Sequence, residues 1–209
     1  KYSVLSIHHK SKSMPQIPHP YFINGSQLIN SSSVTDLGIL VDSHLTFHHH
    51  ISNILTKATQ RVGVFFRGFS LRHSVLMRKA FITYIRPSLE FNSNIWNPTS
   101  KYPIVKLESI QRRFTKRVPS ISHLSYLERL KALDLEPLEL RRLKFDLIQY
   151  YKVLNNLFCI EPSLYFQLHY PPPSSRNPAP FLQKSSNFNK RLQSTFFYRY
   201  SDCWNALPA

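Results

Sequence analysis

The spacing of apolar residues changes near Ser43 in this chain of 209 residues, and that change limits the folds open to it. Before Ser43 apolar and polar residues alternate in short runs, which is typical of strands. After Ser43 apolar residues recur every three or four positions, which is typical of helices. The pattern predicts an α+β fold that is mainly α: a small N-terminal antiparallel hairpin or sheet, a helical bundle and a Pro-rich, partly extended tail.

Residues 1–42 are predicted to form the β part. The predicted elements are a strand over 2–7, a polar connection over 8–20, a hairpin over 21–29 and a strand over 37–41. The hairpin turn is Asn24-Gly25, a pair that suits the positive φ angles of a type I′ turn. The last strand is apolar enough to be buried on both faces. The chain starts without methionine and already in a strand-like run, so we interpret it as part of a larger protein.

Two helices are predicted between residues 43 and 87. The first has Thr46 or Ser43 as its N-cap, and the second begins near Ser74 and is kinked or ended by Pro87. The apolar stripe of the first helix consists of Ile51, Ile54, Leu55, Ala58 and Val62. The stripe of the second consists of Leu76, Ala80, Phe81 and Tyr84.

A third helix, predicted to run from Pro103 to about Arg117, carries the densest group of charges. Its apolar seam consists of Leu107, Ile110 and Phe114. Its cations lie opposite or beside that seam, at Arg112, Arg113, Lys116 and Arg117. One face of the helix would be buried and the other would contact phosphates. Taken alone, such a charge run is equally well explained as a solvated face.

The C-terminal part is predicted to contain a short helix over 125–133 and a long one over 137–156. The predicted buried stripe of the long helix consists of Leu140, Leu143, Leu147, Tyr151 and Leu154. Three cations off this stripe are predicted to bind phosphates as well: Arg141, Arg142 and Lys144. A Pro-rich linker over 169–187 and a terminal aromatic helix over 191–207 follow. The predicted regions are therefore 1–42, 43–118, 119–168 and 169–209.

The charge balance of the chain favours a polyanionic partner. Lys and Arg number 27 against 11 Asp and Glu, which gives a formal net charge of +16. Because 42% of the residues are apolar, the composition is that of a folded domain rather than of a disordered basic arm. No apolar run reaches the roughly 18 residues of a membrane helix. We expect an intracellular protein that binds no membrane.

No set of residues predicts catalysis or a metal site. Histidines crowd the start of the first predicted helix, at His44, His48, His49 and His50. They lack a cysteine or a further histidine at a spacing known for zinc. Asp36 and Asp42 are too far apart along one strand to share a catalytic ion. We therefore predict no metal, no cofactor and no catalytic residue in this chain.

Segments spread over the chain nevertheless resemble one protein family. They are 36–42, 45–47, 50–51, 78–87, 89–90, 96–98, 108–117, 126–130, 138–142 and 204–208. In this order they resemble the C-terminal part of the reverse transcriptase of non-LTR retrotransposons of the jockey and CR1 type. The resemblance covers nearly the whole chain. It departs from the family at Phe91-Asn92, where Tyr-Cys is frequent.

The resemblance implies a role for each region. Residues 1–42 would end the polymerase palm, with Leu37 and Gly38 in the hairpin called the primer grip, and residues 43–118 would form thumb-like helices. This part would hold the RNA template and the DNA primer, in a nuclear or cytoplasmic ribonucleoprotein. The catalytic aspartates and the Mg²⁺ of the parent RNA-directed DNA polymerase would belong to a region upstream of this chain.

A second class of function stays open. The chain would then be a stand-alone or domesticated module that binds RNA or a protein and takes no part in DNA synthesis. Its working surface would be the aromatic stretch from Phe196 to Trp204. Such a stripe is more often part of a core.

Overall fold

The computed structural model describes residues 2–8, 20–70, 73–159, 161–164, 166–169, 181–183 and 195–207. These residues are mainly helical, with small two-stranded sheets, so the predicted α+β, mainly α class is confirmed. Most of the predicted connection over 8–20, most of the linker over 169–187 and the start of the terminal helix lie outside the described residues.

The described strands are short and pair two by two. They are β1 (Ser3–Leu5), β2 (Phe22–Ile23), β3 (Ser26–Gln27), β4 (Ile29–Ser31), β5 (Ser33–Asp36), β6 (Ile39–Asp42), β7 (Gln167–His169) and β8 (Phe181–Gln183). Strands β1 and β4 pair in parallel. The pairs β2–β3, β5–β6 and β7–β8 are antiparallel.

The helical part begins with one long helix and includes several short ones. The α-helices are α1 (His48–Gly68), α2 (Ser74–Ala80), α3 (Arg86–Glu90), α4 (Ser93–Trp96), α5 (Lys101–Lys116), α6 (Tyr126–Ala132), α7 (Leu138–Leu154), α8 (Phe196–Arg199) and α9 (Ser201–Asn205). A π-helical turn, Phe81–Ile85, joins α2 to α3 without a break. No helix in the described part of the chain combines the length and the hydropathy needed to cross a bilayer.

Two tight turns shape the N-terminal strands. Asn24 and Gly25 both have positive φ angles, as predicted for the first hairpin turn. Leu37 and Gly38 also have positive φ angles and form the turn between β5 and β6. The predicted strand over 37–41 was therefore placed too early, because its first two residues turn the chain. It was also expected to be buried on both faces, whereas Ile39 is the buried residue of β6.

An acidic residue holds the loop that leads into α1, and neither predicted cap bonds the helix. The carboxylate of Asp42 accepts hydrogen bonds from the backbone N–H groups of His44, Thr46 and Phe47 and from the Thr46 hydroxyl. Burial raises the pKa of Asp42, but these hydrogen bonds together hold it below its ordinary value. Phe47, at the N-cap position, contributes no side-chain hydrogen bond to the helix. The prediction of Thr46 or Ser43 as the cap was therefore wrong.

Pro87 lies inside a continuous helical run instead of ending it. Proline cannot donate the usual helical hydrogen bond, and its ring displaces the preceding turn. The π turn before Pro87 accommodates this, and its wider turn keeps residues four apart on one face. The buried residues of the run are Met77, Phe81, Ile85 and Leu89. The predicted stripe was wrong at Leu76 and Tyr84, which are exposed.

The core consists of two clusters. The larger one joins apolar residues of α1, the run from α2 to α3, α5 and α6, and includes the predicted positions Ile51, Ile54, Ala58 and Val62. The smaller one forms around Tyr150 of α7 and contains the half-buried aromatic residues Phe196, Phe197, Tyr200 and Trp204. The terminal aromatic residues are therefore core residues, and Tyr200 separates α8 from α9.

Candidate nucleic-acid interface

Helix α5 has the two faces that its sequence predicts. Leu107, Ile110 and Phe114 are buried in the larger core cluster. The helix begins at Lys101, has Pro103 in its first turn and ends at Lys116, just before Val118-Pro119. The four cations at its C-terminal end, the last of them directly after the helix, are all exposed: Arg112, Arg113, Lys116 and Arg117. The predicted position of these cations on the solvent side is confirmed.

Neutral groups on both sides of α5 hold these four cations in place. Towards α6, the Arg112 guanidinium lies 4.8 Å from the centre of the Tyr126 ring. Lys116 Nζ donates to the carbonyl of Ser122 at 2.6 Å. Towards α1, Arg113 Nη2 donates to Thr59 Oγ1 at 3.2 Å, and the Arg117 guanidinium lies 4.7 Å from the Phe66 ring centre. These contacts fix the side chains and leave their charges uncompensated.

A fifth cation, Arg67 of α1, extends this group. A Cβ atom built on Gly63 would lie 3.5 Å from Arg67 Nη1, so the Arg67 guanidinium lies beside the backbone of Gly63. Gly63 is one helical turn after Thr59, the partner of Arg113, on the same face of α1. Arg67 and the four cations of α5 form what we call the basic surface. In the sequence, the only sign of this contact is a glycine four residues before an arginine. That pattern is too common to predict a binding residue.

No residue of the basic surface forms an ion pair with another residue of the described ranges. Five other described cations are each paired with a carboxylate, and the basic surface differs from them in this respect. Arg78 contacts Asp134, and Arg86 contacts Glu90. The basic surface thus retains its full positive charge, which suits a polyanionic ligand.

The three cations predicted on α7 are arranged differently. Arg141 donates two hydrogen bonds to Glu90, at 2.6 and 3.2 Å, and Lys144 pairs with Glu136. Arg142 is fully buried, and its Nε donates to Asn97 Oδ1 at 3.0 Å. Exposure of Arg142 was therefore wrongly predicted. The charges of Arg141 and Lys144 are largely used inside the molecule.

The buried face of α7 was predicted wrongly because it includes charged residues. Its buried residues are Leu138, Arg142, Asp146, Tyr150 and Val153. Leu140 and Tyr151, two residues of the predicted stripe, are exposed. Asp146 is paired with Arg199 of α8, and both side chains are almost completely buried. A pattern of apolar residues alone cannot reveal a helix face that is buried through a polar network.

Glu108 joins α5 to its two neighbours beneath the basic surface. Its carboxylate accepts a hydrogen bond from the Tyr126 hydroxyl and one from the backbone N–H of Leu138, at 2.9 Å. Glu108 therefore provides a hydrogen-bond acceptor for the first N–H group of α7. The residue at the N-cap position, Pro137, has no side-chain acceptor. Burial and the hydrogen bond to Glu108 raise the pKa of Tyr126, so its ring stays neutral beneath Arg112.

Leu37 and Gly38 lie far from the basic surface along α1. The hairpin that they close contacts the first turn of α1, where the Leu40 N–H donates to His50 Nδ1 at 3.2 Å. Thr59 is nine residues further on, a rise of about 14 Å. Leu37 is exposed, and a Cβ on Gly38 would lie 3.5 Å from the Phe91 ring. The structure therefore does not join these two predicted sites into one.

The described residues contain no group of three or more His, Cys, Asp or Glu side chains arranged to hold a metal ion. His50 is buried against Trp96 and accepts a hydrogen bond from the backbone of Leu40, so it has a structural position. Burial, with a smaller effect of Lys57, lowers the pKa of His50. Its imidazole is therefore neutral near pH 7.

Similarity to known proteins is limited. No protein-family model matches the chain. A segment of 127 residues is 28% identical to an uncharacterized protein of Caenorhabditis elegans, and the match covers 59% of this chain and 64% of that protein's length. No solved structure matches significantly. These comparisons assign neither a family nor an activity.

Proposed function

We propose that this chain binds the sugar-phosphate backbone of an RNA template and a DNA primer, as the non-catalytic part of a non-LTR retrotransposon reverse transcriptase. The observation that carries the proposal is the basic surface, where five positioned cations have no carboxylate partner among the described residues. The resemblance of the sequence supports the polymerase context. The same resemblance supports a nuclear or cytoplasmic ribonucleoprotein as its location.

The contacts of the basic surface favour backbone binding. Four of its five residues are arginines, whose planar guanidinium groups bind phosphate oxygens through two parallel hydrogen bonds. Contacts to phosphates fix the position of a nucleic acid and carry no sequence information. Such binding suits a protein that must hold any sequence while it is copied. We assign no catalytic step to this chain, and we place the Mg²⁺ of the parent polymerase on residues upstream of it.

The structure narrows the set of proposed contact residues. Arg142 is excluded because its side chain is buried. Arg141 and Lys144 contribute little because Glu90 and Glu136 neutralise them. Arg112, Arg113, Lys116 and Arg117 remain, and Arg67 joins them. Leu37 and Gly38 keep their proposed primer-grip role, at the other end of α1.

The salt dependence of binding tests this assignment. Each phosphate contact contributes about 0.9 to the log–log slope of affinity against salt on duplex DNA. Replacement of Arg112, Arg113, Lys116 and Arg117 with glutamine should therefore lower the slope by up to about 3.6. Fluorescence anisotropy with a labelled template–primer duplex, over a series of salt concentrations, measures the slope. Thermal unfolding verifies that the variant is folded.

A matched control separates local contacts from net charge. Glutamine at Lys79, Lys101, Lys131 and Lys152 removes the same formal charge outside the basic surface. This variant should retain nearly the full slope, because net charge alone acts at long range and is screened by salt. Equal losses in the two variants would refute the basic surface as the binding site.

The genomic sequence upstream of this chain tests the polymerase context. A palm region with paired aspartates immediately before Lys1 supports the reverse transcriptase. An initiator methionine close to Lys1 would favour the stand-alone module instead. The aromatic residues that such a module would use are packed in the smaller core cluster, which argues against that alternative.

A further inference from the structure

An exposed aromatic ring lies at the end of α1 close to the basic surface. Phe69 follows Gly68 directly, and its backbone N–H donates to the carbonyl of Phe65 at 3.0 Å. Its ring is stacked on the ring of Phe65, with centroids 5.0 Å apart and planes inclined by 26°. Phe65 is buried, whereas Phe69 is 52% exposed. One face of the Phe69 ring is therefore held by the core, and the ring remains open to solvent.

The ring of Phe69 is connected to the cations through a series of aromatic contacts. Phe65 contacts Phe66 at 5.5 Å between ring centres, and the Arg117 guanidinium lies over Phe66. Arg67 belongs to the same helical turn as Phe66. Positive charge and an exposed aromatic ring are thus combined at one end of the basic surface. This combination is the one that binds single-stranded nucleic acid, in which the phosphates contact cations and the bases stack on aromatic rings.

We propose that Phe69 is a stacking site for an unpaired nucleobase, so that the preferred ligand is a duplex with a single-stranded extension. This inference rests on the proposed function, because the basic surface would hold the adjoining backbone. A paired base inside a duplex has no free face to offer, whereas an unpaired base does. Little ordering of the protein is needed, since Phe65 already fixes the plane of the Phe69 ring.

The chemistry of the site favours a base over another apolar ligand. A single exposed phenylalanine is common on protein surfaces and needs no explanation by itself. Here the ring comes two residues after Arg67, and its stacking partner Phe65 contacts Phe66, over which the Arg117 guanidinium lies. Neither cation has a carboxylate partner among the described residues. A ligand that covers both the ring and these cations must combine negative charge with a flat apolar surface. A nucleotide has both, and an apolar peptide segment has only the second.

The experiment compares Phe69→Leu with the unaltered protein on two ligands, a blunt duplex and the same duplex with a single-stranded extension. Loss of one aromatic stack weakens binding by about 5- to 150-fold. We expect that loss for the extended duplex and no change for the blunt one. Phe69→Trp should bind the extended duplex at least as tightly as the unaltered protein. A fluorescent adenine analogue at the first unpaired position should be quenched by the unaltered protein and not by Phe69→Leu.

Phe158→Leu is a matched control, because Phe158 is 42% exposed and follows α7, outside both the basic surface and the turn at Leu37 and Gly38. It should bind both ligands like the unaltered protein. Equal affinity of Phe69→Leu and the unaltered protein for the extended duplex would overturn the inference. An equal loss of Phe69→Leu on both ligands would overturn it too.

The salt slope separates this inference from the proposed function. Phe69 carries no charge, so Phe69→Leu should leave the slope unchanged. If the glutamine variant of α5 also leaves the slope unchanged, the proposed function fails, whatever Phe69 does. If that slope falls while Phe69→Leu has no effect on the extended duplex, the stacking site alone fails.

Discussion

Replacement of Asp146 by alanine should destabilise this protein more than the loss of any exposed ion pair. Asp146 accepts hydrogen bonds from Arg199 Nε and Nη2 at 2.8 and 2.7 Å and from Asn97 Nδ2 at 3.0 Å. Asn97 in turn accepts from Arg142. Asp146 is therefore the carboxylate in a buried network that contains two guanidinium groups. Its removal leaves Arg199 without its ion-pair partner and breaks the hydrogen bond from Asn97.

The size of the effect follows from burial. The exposed fractions of the Arg199 and Asp146 side chains are 1% and 0%. Removal of one partner of such a buried pair costs about 3–5 kcal/mol. For a chain of this size, 1 kcal/mol lowers the melting temperature by about 2–4 °C. We therefore expect the melting temperature to fall by roughly 6–20 °C.

Urea unfolding, followed by far-ultraviolet circular dichroism, measures the loss in free energy. Lys144→Gln is the control, because it breaks the exposed pair with Glu136 and should cost at most about 1 kcal/mol. The double replacement Asp146→Leu and Arg199→Met should be more stable than Asp146→Ala, since it removes a buried charge of each sign. A loss for Asp146→Ala no larger than that of the control would refute the argument from burial.

Two further predictions concern the junction between the strands and α1. Asp42→Ala should cost about 1–3 kcal/mol in urea unfolding, because it removes the acceptor of the hydrogen bonds that hold the loop before α1. The pKa of Asp42 is below its ordinary value of 3.8, so its contribution to the free energy of unfolding is complete above that pH and is lost as pH falls through the lowered pKa. Asp42→Ala should therefore lose less free energy of unfolding than the unaltered protein over this acid range. The pKa of His50 is below its ordinary value of 6.5, so the unfolded chain takes up a proton first as pH falls. The free energy of unfolding should therefore decline below about pH 6.5, and less so in His50→Gln, whereas parallel curves for the two proteins would contradict the assignment.

The sequence predicts best those features that residues close together in the chain determine. The seam of α5 and the exposure of Arg112 and Lys116 follow from helical geometry alone, and so does the turn at Asn24-Gly25. These features need no knowledge of distant parts of the chain. The position of the basic surface could therefore be predicted, apart from its extension to α1.

Features that depend on distant partners could not be predicted from local patterns. The burial of Arg142 depends on Asn97, 45 residues away, and that of Asp146 depends on Arg199, 53 residues away. Cations on an amphipathic helix are normally exposed, so the pattern indicated the wrong face of α7. Arg67 was missed because only the contact of Arg113 with Thr59 shows that α5 packs along this face of α1.

The hydrogen bonds of Glu108 have a mechanical consequence for the proposed binding. Glu108 connects the middle of α5 with Tyr126 at the start of α6 and with Leu138 at the start of α7. Tension on a bound strand would act on α5 through its last two turns. Because one carboxylate joins the three helices, that load is shared by α6 and α7 instead of bending α5 alone. A moving strand would thus displace the three helices together.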